Sequence, residues 1–391
     1  MSNVVQSAPS ADRAASQEPR SAPPSPSPEP SPDPSPAPSP LPSPVPSSSS
    51  RKRGRLYVLD GLRLGAALMV VAYHYTALGA AAWDRPAQEV FPGVSRFSSY
   101  GYLGVQLFFV ISGFVICMSA WDRPLKAFFV SRVVRLYPAY WFAVLATTVT
   151  LALIPGERQR LPGYDVLTNL TMLQEPLGVR PVDAVYWTLF AEIRFYLLFA
   201  VLVGIGLTYR RVVLFCCVWG AVSLLVTEAG PGPLRTLVMP EHSWFFIAGT
   251  AFYLMYRFRP NLLLFGIVGF SFCVSLAPAV EQFEHVSRVG GQARWPVIAV
   301  LAVIFGLMAL IATGKLSGVQ WRWLPVAGAL TYPLYLLHEF IGWEVFGHFS
   351  ARGVHPWVLV GATTAGMLVL SYLVYRLVEA PLSGCLKRRL S

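Results

Sequence analysis

From Tyr57 onward, apolar runs close to the length that crosses a lipid bilayer alternate with short polar breaks. A helix needs about 20 apolar residues to span the hydrocarbon core, where every backbone group must find its hydrogen bond inside the helix. Composition agrees, since 54% of the residues are hydrophobic and 13% are charged, against roughly a quarter charged in soluble proteins. The pattern predicts an all-α, polytopic membrane protein with about ten transmembrane helices. The predicted spans are 57–82, 100–120, 139–155, 186–207, 212–228, 242–256, 261–280, 295–313, 324–349 and 355–378.

The distribution of basic residues predicts how the chain is oriented in the membrane. With the amino terminus in the cytoplasm, about twice as many Lys and Arg residues fall on the cytoplasmic side as on the opposite side. Both termini are therefore expected to be cytoplasmic. Residues 1–55 are rich in Pro and Ser and have no apolar pattern, which predicts a disordered cytoplasmic tail before a transmembrane domain at 56–391.

The charge and the cysteines disfavour two classes of ligand. The net charge of +11 comes from basic residues scattered singly and in pairs between apolar runs, a pattern that does not predict nucleic-acid binding. The five cysteines lack the CxxC or Cys/His spacing of a metal site, so no metal is predicted.

Ionisable side chains inside the predicted spans are candidate functional residues, because each costs about 2.5 kcal/mol or more at the bilayer centre. Arg63 and His74 share one face of the first span, since eleven residues of α-helix make about three turns and a rise of about 16 Å. Counting from the cytoplasmic end of each span places four ionisable groups at a similar depth: His74, Glu192, Arg194 and His338. The alternative for His74 is a packed polar residue that hydrogen-bonds across helices.

The segment from Lys126 to Pro138 is basic, aromatic and helical in period. Arg132 and Arg135 lie three residues apart on one face of it. We expect the segment to lie along the cytoplasmic interface of the membrane. One interpretation is an anchor held by anionic lipids. The other is a phosphate site, because planar guanidinium groups bind phosphate oxygens in bidentate fashion.

Six motifs follow one another along the membrane region. They are Leu59 to Arg63 with His74, Gly101 to Phe114, Arg132 to Pro138, Trp187 to Glu192 with Phe195-Tyr196, Tyr332 to His338, and Val378 to Pro381. Together, and in this order, they resemble the acyltransferase-3 family of bacterial integral-membrane acyltransferases. The family pattern usually has serine where Thr188 stands, which is a conservative difference.

The resemblance implies transfer of an acyl group, often acetyl, from cytoplasmic acyl-CoA to hydroxyls of surface glycans, lipids or secondary metabolites. It also implies that His74 is catalytic and that Arg63, Arg132 and Arg135 bind the donor. The stretches 114–119 and 129–140 look most like the macrolide O-acyltransferases of antibiotic-producing actinomycetes. A macrolide is therefore the expected acceptor, with a cell-surface glycan or lipid as the alternative.

Ester formation needs a base, since a hydroxyl attacks a thioester slowly while it keeps its proton. Histidine is suited to that task, and we expect His74 to be the base. Glu192, predicted at a similar depth, would orient the imidazole or stabilise its charged form. An acyl-histidine intermediate stays open. His338 and Arg194 are further candidates, and His338 has the alternative of a purely structural hydrogen-bonding role.

A multi-pass transporter is the rival interpretation, because it would also place charges near the middle of the membrane. Such a protein is expected to contain an inverted repeat. The sequence shows no second copy of the Arg63 to His74 pattern. Release of free CoA by the purified protein would distinguish an acyltransferase from a transporter.

Overall fold

The computed structural model describes residues 56–78, 80–154, 161–228, 230–286 and 293–390, and these residues form helices and their connections. The α-helices are α1 Tyr57–Tyr73, α2 Ala80–Trp83, α3 Ala87–Val90, α4 Val94–Ser98, α5 Gly104–Ala120, α6 Leu125–Leu153, α7 Gly163–Asn169, α8 Trp187–Gly204, α9 Tyr209–Thr227, α10 Pro233–Val238, α11 Ser243–Phe258, α12 Leu262–Val286, α13 Trp295–Ala312, α14 Leu324–Leu337, α15 Glu339–Ser350, α16 Pro356–Val374 and α17 Ala380–Leu390. The π-helical turns are His74–Leu78 and Tyr375–Glu379, and the 3-10 helices are Ser99–Leu103 and Ala184–Tyr186. The predicted all-α class is confirmed for the described residues. The predicted tail at 1–55 lies outside them.

The structure supports a multi-pass membrane protein. Seven helical segments of the described chain are long and apolar enough to cross a bilayer: Val94–Ala120, Leu125–Leu153, Ala184–Gly204, Tyr209–Thr227, Leu262–Glu284, Trp295–Ala312 and Pro356–Leu390. Each of the ten predicted spans contains an α-helix, but α1, α11 and α14 have only 17, 16 and 14 residues. The count of ten and the side on which each terminus lies therefore stay predictions.

Helices α5 and α11 pack with their backbones in contact. A Cβ atom at Gly113 would overlap the Phe246 carbonyl, and one at Gly249 would overlap the Val110 carbonyl. Close approach through small residues is a common way to pack helices in a bilayer, where apolar burial contributes little to helix association. Most of α11 is buried as a result. Helix α1 packs against both α5 and α14.

Helix α6 corrects a predicted boundary. The sequence predicts an interfacial segment followed by a separate span at 139–155, whereas residues 125–153 form one helix of 29 residues. Pro138 lies inside it. Proline lacks an N–H group and so frees the carbonyl four residues earlier. The Ser383 hydroxyl donates to that carbonyl of Val134 at 2.8 Å, so the helix continues because a side chain of α17 supplies the missing partner.

Two helices are irregular at the residues that matter for the site. Helix α1 changes to a π-helical turn at His74, and α14 ends at Leu337, which leaves His338 between α14 and α15. The sequence predicts a span at 324–349, and the structure divides it into α14 and α15 at His338. Irregular helix turns are frequent at functional sites, and broken helices free backbone groups for other partners.

Candidate active site

The two irregular helices bring His74 and His338 into direct contact. His74 Nδ1 lies 2.9 Å from His338 Nε2, although the residues are 264 positions apart in the chain. His338 is fully buried, and His74 is 9% exposed. Of the two, His74 is therefore the one that a substrate can reach.

The hydrogen bonds of His338 determine which nitrogen of His74 carries a proton. His338 Nδ1 lies 2.8 Å from the Tyr335 carbonyl and 3.2 Å from the Leu334 carbonyl. Carbonyl oxygens only accept, so Nδ1 carries the proton of a neutral His338 and Nε2 accepts. His74 must then donate through Nδ1. Its Nε2 is left with a lone pair, as a general base requires.

A carboxylate close to His74 belongs to Glu339, the first residue of α15. Glu339 Oε1 lies 3.8 Å from His74 Nε2, and both side chains are largely buried. The backbone around the pair is held as well. Trp343 Nε1 donates to the His74 carbonyl at 2.9 Å, and the Tyr75 hydroxyl donates to the His338 carbonyl at 2.8 Å. An imidazole protonated at Nε2 would thus face a negative charge that stabilises it.

A cavity of about 350 Å³ lies between α1, α5, α6, α8 and α14. Its charged lining residues are Arg63, Arg123, Arg132, Arg135 and Glu192. Four positive charges against one negative charge favour an anionic ligand. Three of the four arginines are the residues predicted to bind the donor. Arg63 lies on α1, Arg132 and Arg135 lie on α6, and all three line the same cavity.

Arg132 and Arg135 differ in how they are held. Arg132 is 9% exposed, and its guanidinium donates to the hydroxyls of Ser131 and Ser119 at 3.1 and 3.2 Å. The same group packs 5.8 Å from the centre of the Tyr196 ring. Arg135 is exposed. Arg132 is thus oriented by the protein, and Arg135 is open to a ligand.

Glu192 lies in the cavity wall with other partners than the sequence suggested. Its Oε1 accepts from the Ser112 hydroxyl at 3.1 Å and from the Tyr196 hydroxyl. The carboxylate that approaches His74 is that of Glu339. The predicted similar depth of Glu192 and His74 did not reveal that they face different neighbours.

The Arg194 side chain contacts α10. Its Nη1 donates to the Thr236 carbonyl at 2.6 Å, and its guanidinium lies 4.4 Å from the centre of the Phe190 ring. These contacts tie α8 to α10 and give Arg194 a structural explanation.

Tyr335 connects the cavity to the histidine pair. It lines the cavity, and its ring centre lies 5.8 Å from that of His338. Its hydroxyl is 2.9 Å from the Thr188 hydroxyl and donates to the Val185 carbonyl at 3.3 Å. His74 is not among the described residues that line the cavity, and Tyr335 is a lining residue whose ring contacts the histidine pair.

Sequence reasoning placed Glu339 among the ionisable groups of the ninth span but gave it no role, and it gave Arg123 no role in the site. The signal for Glu339 was its position directly after His338, where a helix break turns two adjacent side chains toward the same partner. Arg123 lies in the turn between α5 and α6. In the sequence, a basic residue between two spans indicates only on which side of the membrane that turn lies. Within the described residues, no group of three or more His, Cys, Asp or Glu side chains is arranged to hold a metal ion.

Comparison with known proteins agrees with the resemblance found in the motifs. The sequence profile of the acyltransferase-3 family, described as an acyltransferase domain, matches residues 56–376. The acyltransferase MdmB of Streptomyces mycarofaciens is 25% identical over 377 residues, which covers 86% of this chain and 93% of that protein. The "Putative peptidoglycan O-acetyltransferase YrhL" of Bacillus subtilis (strain 168) is 23% identical over 374 residues. That alignment covers 83% of this chain and 54% of the Bacillus protein, so the chain spans about half of that relative. No solved structure matches the chain.

Proposed function

Because this chain belongs to the acyltransferase-3 family, we propose that it transfers an acetyl group from acetyl-CoA to a hydroxyl of a macrolide antibiotic or a related secondary metabolite. The observation that carries the proposal is the arginine-lined cavity, whose wall at Tyr335 adjoins a histidine pair with one free base nitrogen. A phosphate-rich thioester fits the first part of this site, and acyl transfer to a hydroxyl fits the second.

The donor half of the proposal rests on charge and reach. CoA carries its phosphates at one end and its thioester at the other. Arg63, Arg132 and Arg135 would bind the phosphates, with Arg123 as a fourth basic group. Arg63 and His74 are separated by a rise of about 16 Å along α1, a distance of the same order as an extended pantetheine arm. We place the phosphates at the cytoplasmic end of the cavity. This placement goes with a domain of ten transmembrane helices whose two chain termini are both cytoplasmic.

The chemical step follows from the tautomer of His74. The acceptor hydroxyl gives its proton to His74 Nε2 while its oxygen attacks the thioester carbonyl. The carbon–sulfur bond breaks, the ester forms, and the leaving CoA thiolate takes the proton back from the imidazolium. Glu339 stabilises the imidazolium while it exists. An acyl-histidine at Nε2 would use the same atom, so the site suits direct transfer and a two-step route alike.

The acceptor is proposed from stretches of the sequence and from one relative. Similarity to a Streptomyces acyltransferase over 93% of its length supports acyl transfer, and the macrolide-like stretches 114–119 and 129–140 support a secondary metabolite as the acceptor. Similarity to a protein described as a peptidoglycan O-acetyltransferase supports a cell-surface glycan as the second candidate.

The test is turnover by the purified protein in vesicles. Acetyl-CoA is supplied with macrolides in one set and with glycan fragments in another, and both free CoA and the acetyl ester are measured. Ester formation with a macrolide supports the proposal, and ester formation with a glycan alone supports the second candidate. Absence of CoA release with every acceptor, together with CoA uptake into the vesicles, would point to the transporter interpretation instead.

A further inference from the structure

Asp183 is a fully buried carboxylate that neither the cavity nor the histidine pair explains by itself. It precedes the 3-10 turn at the start of α8, where its Oδ1 accepts from the Val185 N–H at 3.2 Å. Its Oδ2 accepts from the Phe340 N–H at 3.1 Å, across 157 positions of sequence. One carboxylate thereby caps the beginnings of two helices.

The second of these bonds replaces one that an uninterrupted helix would make. In a continuous α-helix the Phe340 N–H would donate to the Leu336 carbonyl, four residues earlier. Here Asp183 takes that N–H, and the Leu336 carbonyl instead lies 3.5 Å from the Tyr186 hydroxyl. The carboxylate also carries the charge that a helix N-terminus favours. Asp183 thus satisfies the backbone group that the break between α14 and α15 exposes.

The reactive groups lie at this break. His338 stands in it, with Nε2 against His74 Nδ1 at 2.9 Å. Glu339 starts α15, with Oε1 at 3.8 Å from His74 Nε2. His338 keeps helical backbone angles, with φ −72° and ψ −36°, so the break is local and Asp183 holds the backbone two residues after it.

The loop that carries Asp183 is bonded to Asn169, the last residue of α7. The Val182 N–H donates to Asn169 Oδ1 at 2.9 Å, and Asn169 Nδ2 donates to the carbonyls of Asp165 and Arg180, each at 2.9 Å. Arg180 and Val182 are therefore both bonded to the last residue of α7. These bonds fix the loop directly before Asp183.

We propose that Asp183 is a positioning residue for acyl transfer: its carboxylate holds the α14–α15 break that presents His338 and Glu339 to His74. The inference rests on the proposed role of His74 as the base. Asp183 acts through the two α15 groups and touches no reacting atom. Its loss therefore lowers the rate of the chemical step and leaves binding of acyl-CoA in the arginine-lined cavity unchanged.

The experiment compares Asp183→Asn with Asp165→Asn in the full-length protein. Both replace a buried carboxylate by an amide. Asp165 contributes only its backbone carbonyl to the contacts of Asn169, which the substitution keeps, whereas the Asp183 carboxylate contacts α15. In Asp183→Asn the side-chain NH₂ must face one of the two backbone donors. We expect kcat with acetyl-CoA to fall about 10- to 100-fold, the loss typical of a misplacement near 1 Å, with KM for acetyl-CoA unchanged. Asp165→Asn is expected to keep the wild-type kcat.

A second variant covers the case in which Asp183→Asn does not fold. Phenyllactic acid at position 340 replaces the Phe340 amide by an ester, which removes the N–H and keeps both the side chain and Asp183. It is expected to lower kcat in the same direction without changing KM. Wild-type kcat in either folded variant, or an equal loss in Asp165→Asn, overturns the inference.

An acceptor-independent measurement separates this inference from the proposed function. Diethyl pyrocarbonate acylates neutral imidazole, and the rate at His74 can be followed by mass spectrometry. We expect slower modification of His74 in Asp183→Asn and in the ester variant than in the wild type and Asp165→Asn. If wild-type protein shows no acyl transfer but the His74 rates differ in this way, the proposed function fails and the positioning role stands. If transfer occurs and the His74 rates are equal, the positioning role fails alone.

Discussion

The arginine-lined cavity and the histidine pair are built in different ways. Arg132 and Arg135 lie about one turn apart on a single uninterrupted helix, so helix geometry alone brings them to one face. His74 and His338 each stand where a helix stops being regular, and their contact depends on hydrogen bonds from distant parts of the chain. A phosphate site tolerates small displacements because charge acts over several ångströms, whereas proton transfer needs hydrogen-bond distance. The two regions should therefore respond differently to mutation.

The largest effect is expected for His74→Ala. Loss of the base nitrogen should lower kcat by about 10²- to 10⁴-fold, with little change in KM for acyl-CoA. Donor titration and turnover in vesicles measure both constants. His348→Ala, on the exposed side of α15, is the control and should keep both. Near-normal kcat in His74→Ala would remove His74 as the base and break the proposed division of the site.

The next effect is expected for His338→Ala, which removes the acceptor for the His74 Nδ1 proton. Without that partner the imidazole loses its fixed orientation, and kcat should fall about 10- to 100-fold. His338→Gln offers an amide oxygen to the same N–H and should retain more activity than alanine. Equal loss in both variants would mean that His338 acts only through packing, in the structural role that the sequence left open.

A smaller effect, on binding, is expected for Arg135→Ala. A charged hydrogen bond to phosphate contributes about 1.5 kcal/mol at the lower end, so KM for acyl-CoA should rise about tenfold. The rise in KM should exceed the fall in kcat, because the contact exists in the ground state and the transition state alike. Arg135→Lys keeps the charge without the bidentate fork and should lie between. The exposed Arg210→Ala is the control. A fall in kcat at constant KM would contradict the assignment of the cavity to the donor.

The smallest effect is expected for Glu192→Gln, which tests to which region this residue belongs. The amide can keep the contacts with Ser112 and Tyr196, and the cavity loses one negative charge. We expect kcat to stay within about threefold of wild type, the scale of a weak ion-pair change, with KM for acyl-CoA equal or lower. Glu339→Gln, beside His74, should reduce kcat more than Glu192→Gln. The reverse order would restore Glu192 as the partner of His74.

Periodicity and charge were sufficient for the outline of the fold and for the common face of Arg132 and Arg135. Apolar runs predict helices because lipid offers the backbone no hydrogen-bond partner, and a span-length run in this chain contains a helix in every case. The spacing of Arg132 and Arg135 predicts a common face because an α-helix has a fixed repeat. They share one cavity with Arg63 because α1 and α6 both pack against α14.

Local pattern could not predict where helices are interrupted. Pro138 is the residue that a sequence analysis expects to end a helix, yet α6 continues because Ser383 satisfies the Val134 carbonyl. His338 carries no helix-breaking chemistry, yet α14 ends before it, where Asp183 takes the N–H of Phe340. In both places a partner from a distant part of the chain decides the outcome.

The sequence by itself determined that this chain is an all-α membrane protein of the acyltransferase-3 family and which of its side chains are costly to bury. The tertiary structure decided which of those side chains meet. It paired His74 with His338 and Glu339, and it placed Glu192 with Ser112 and Tyr196. Depth in the membrane follows from counting residues along one helix, whereas contact depends on the rotation and interruption of two helices at once. Those are set by long-range hydrogen bonds that no local pattern encodes.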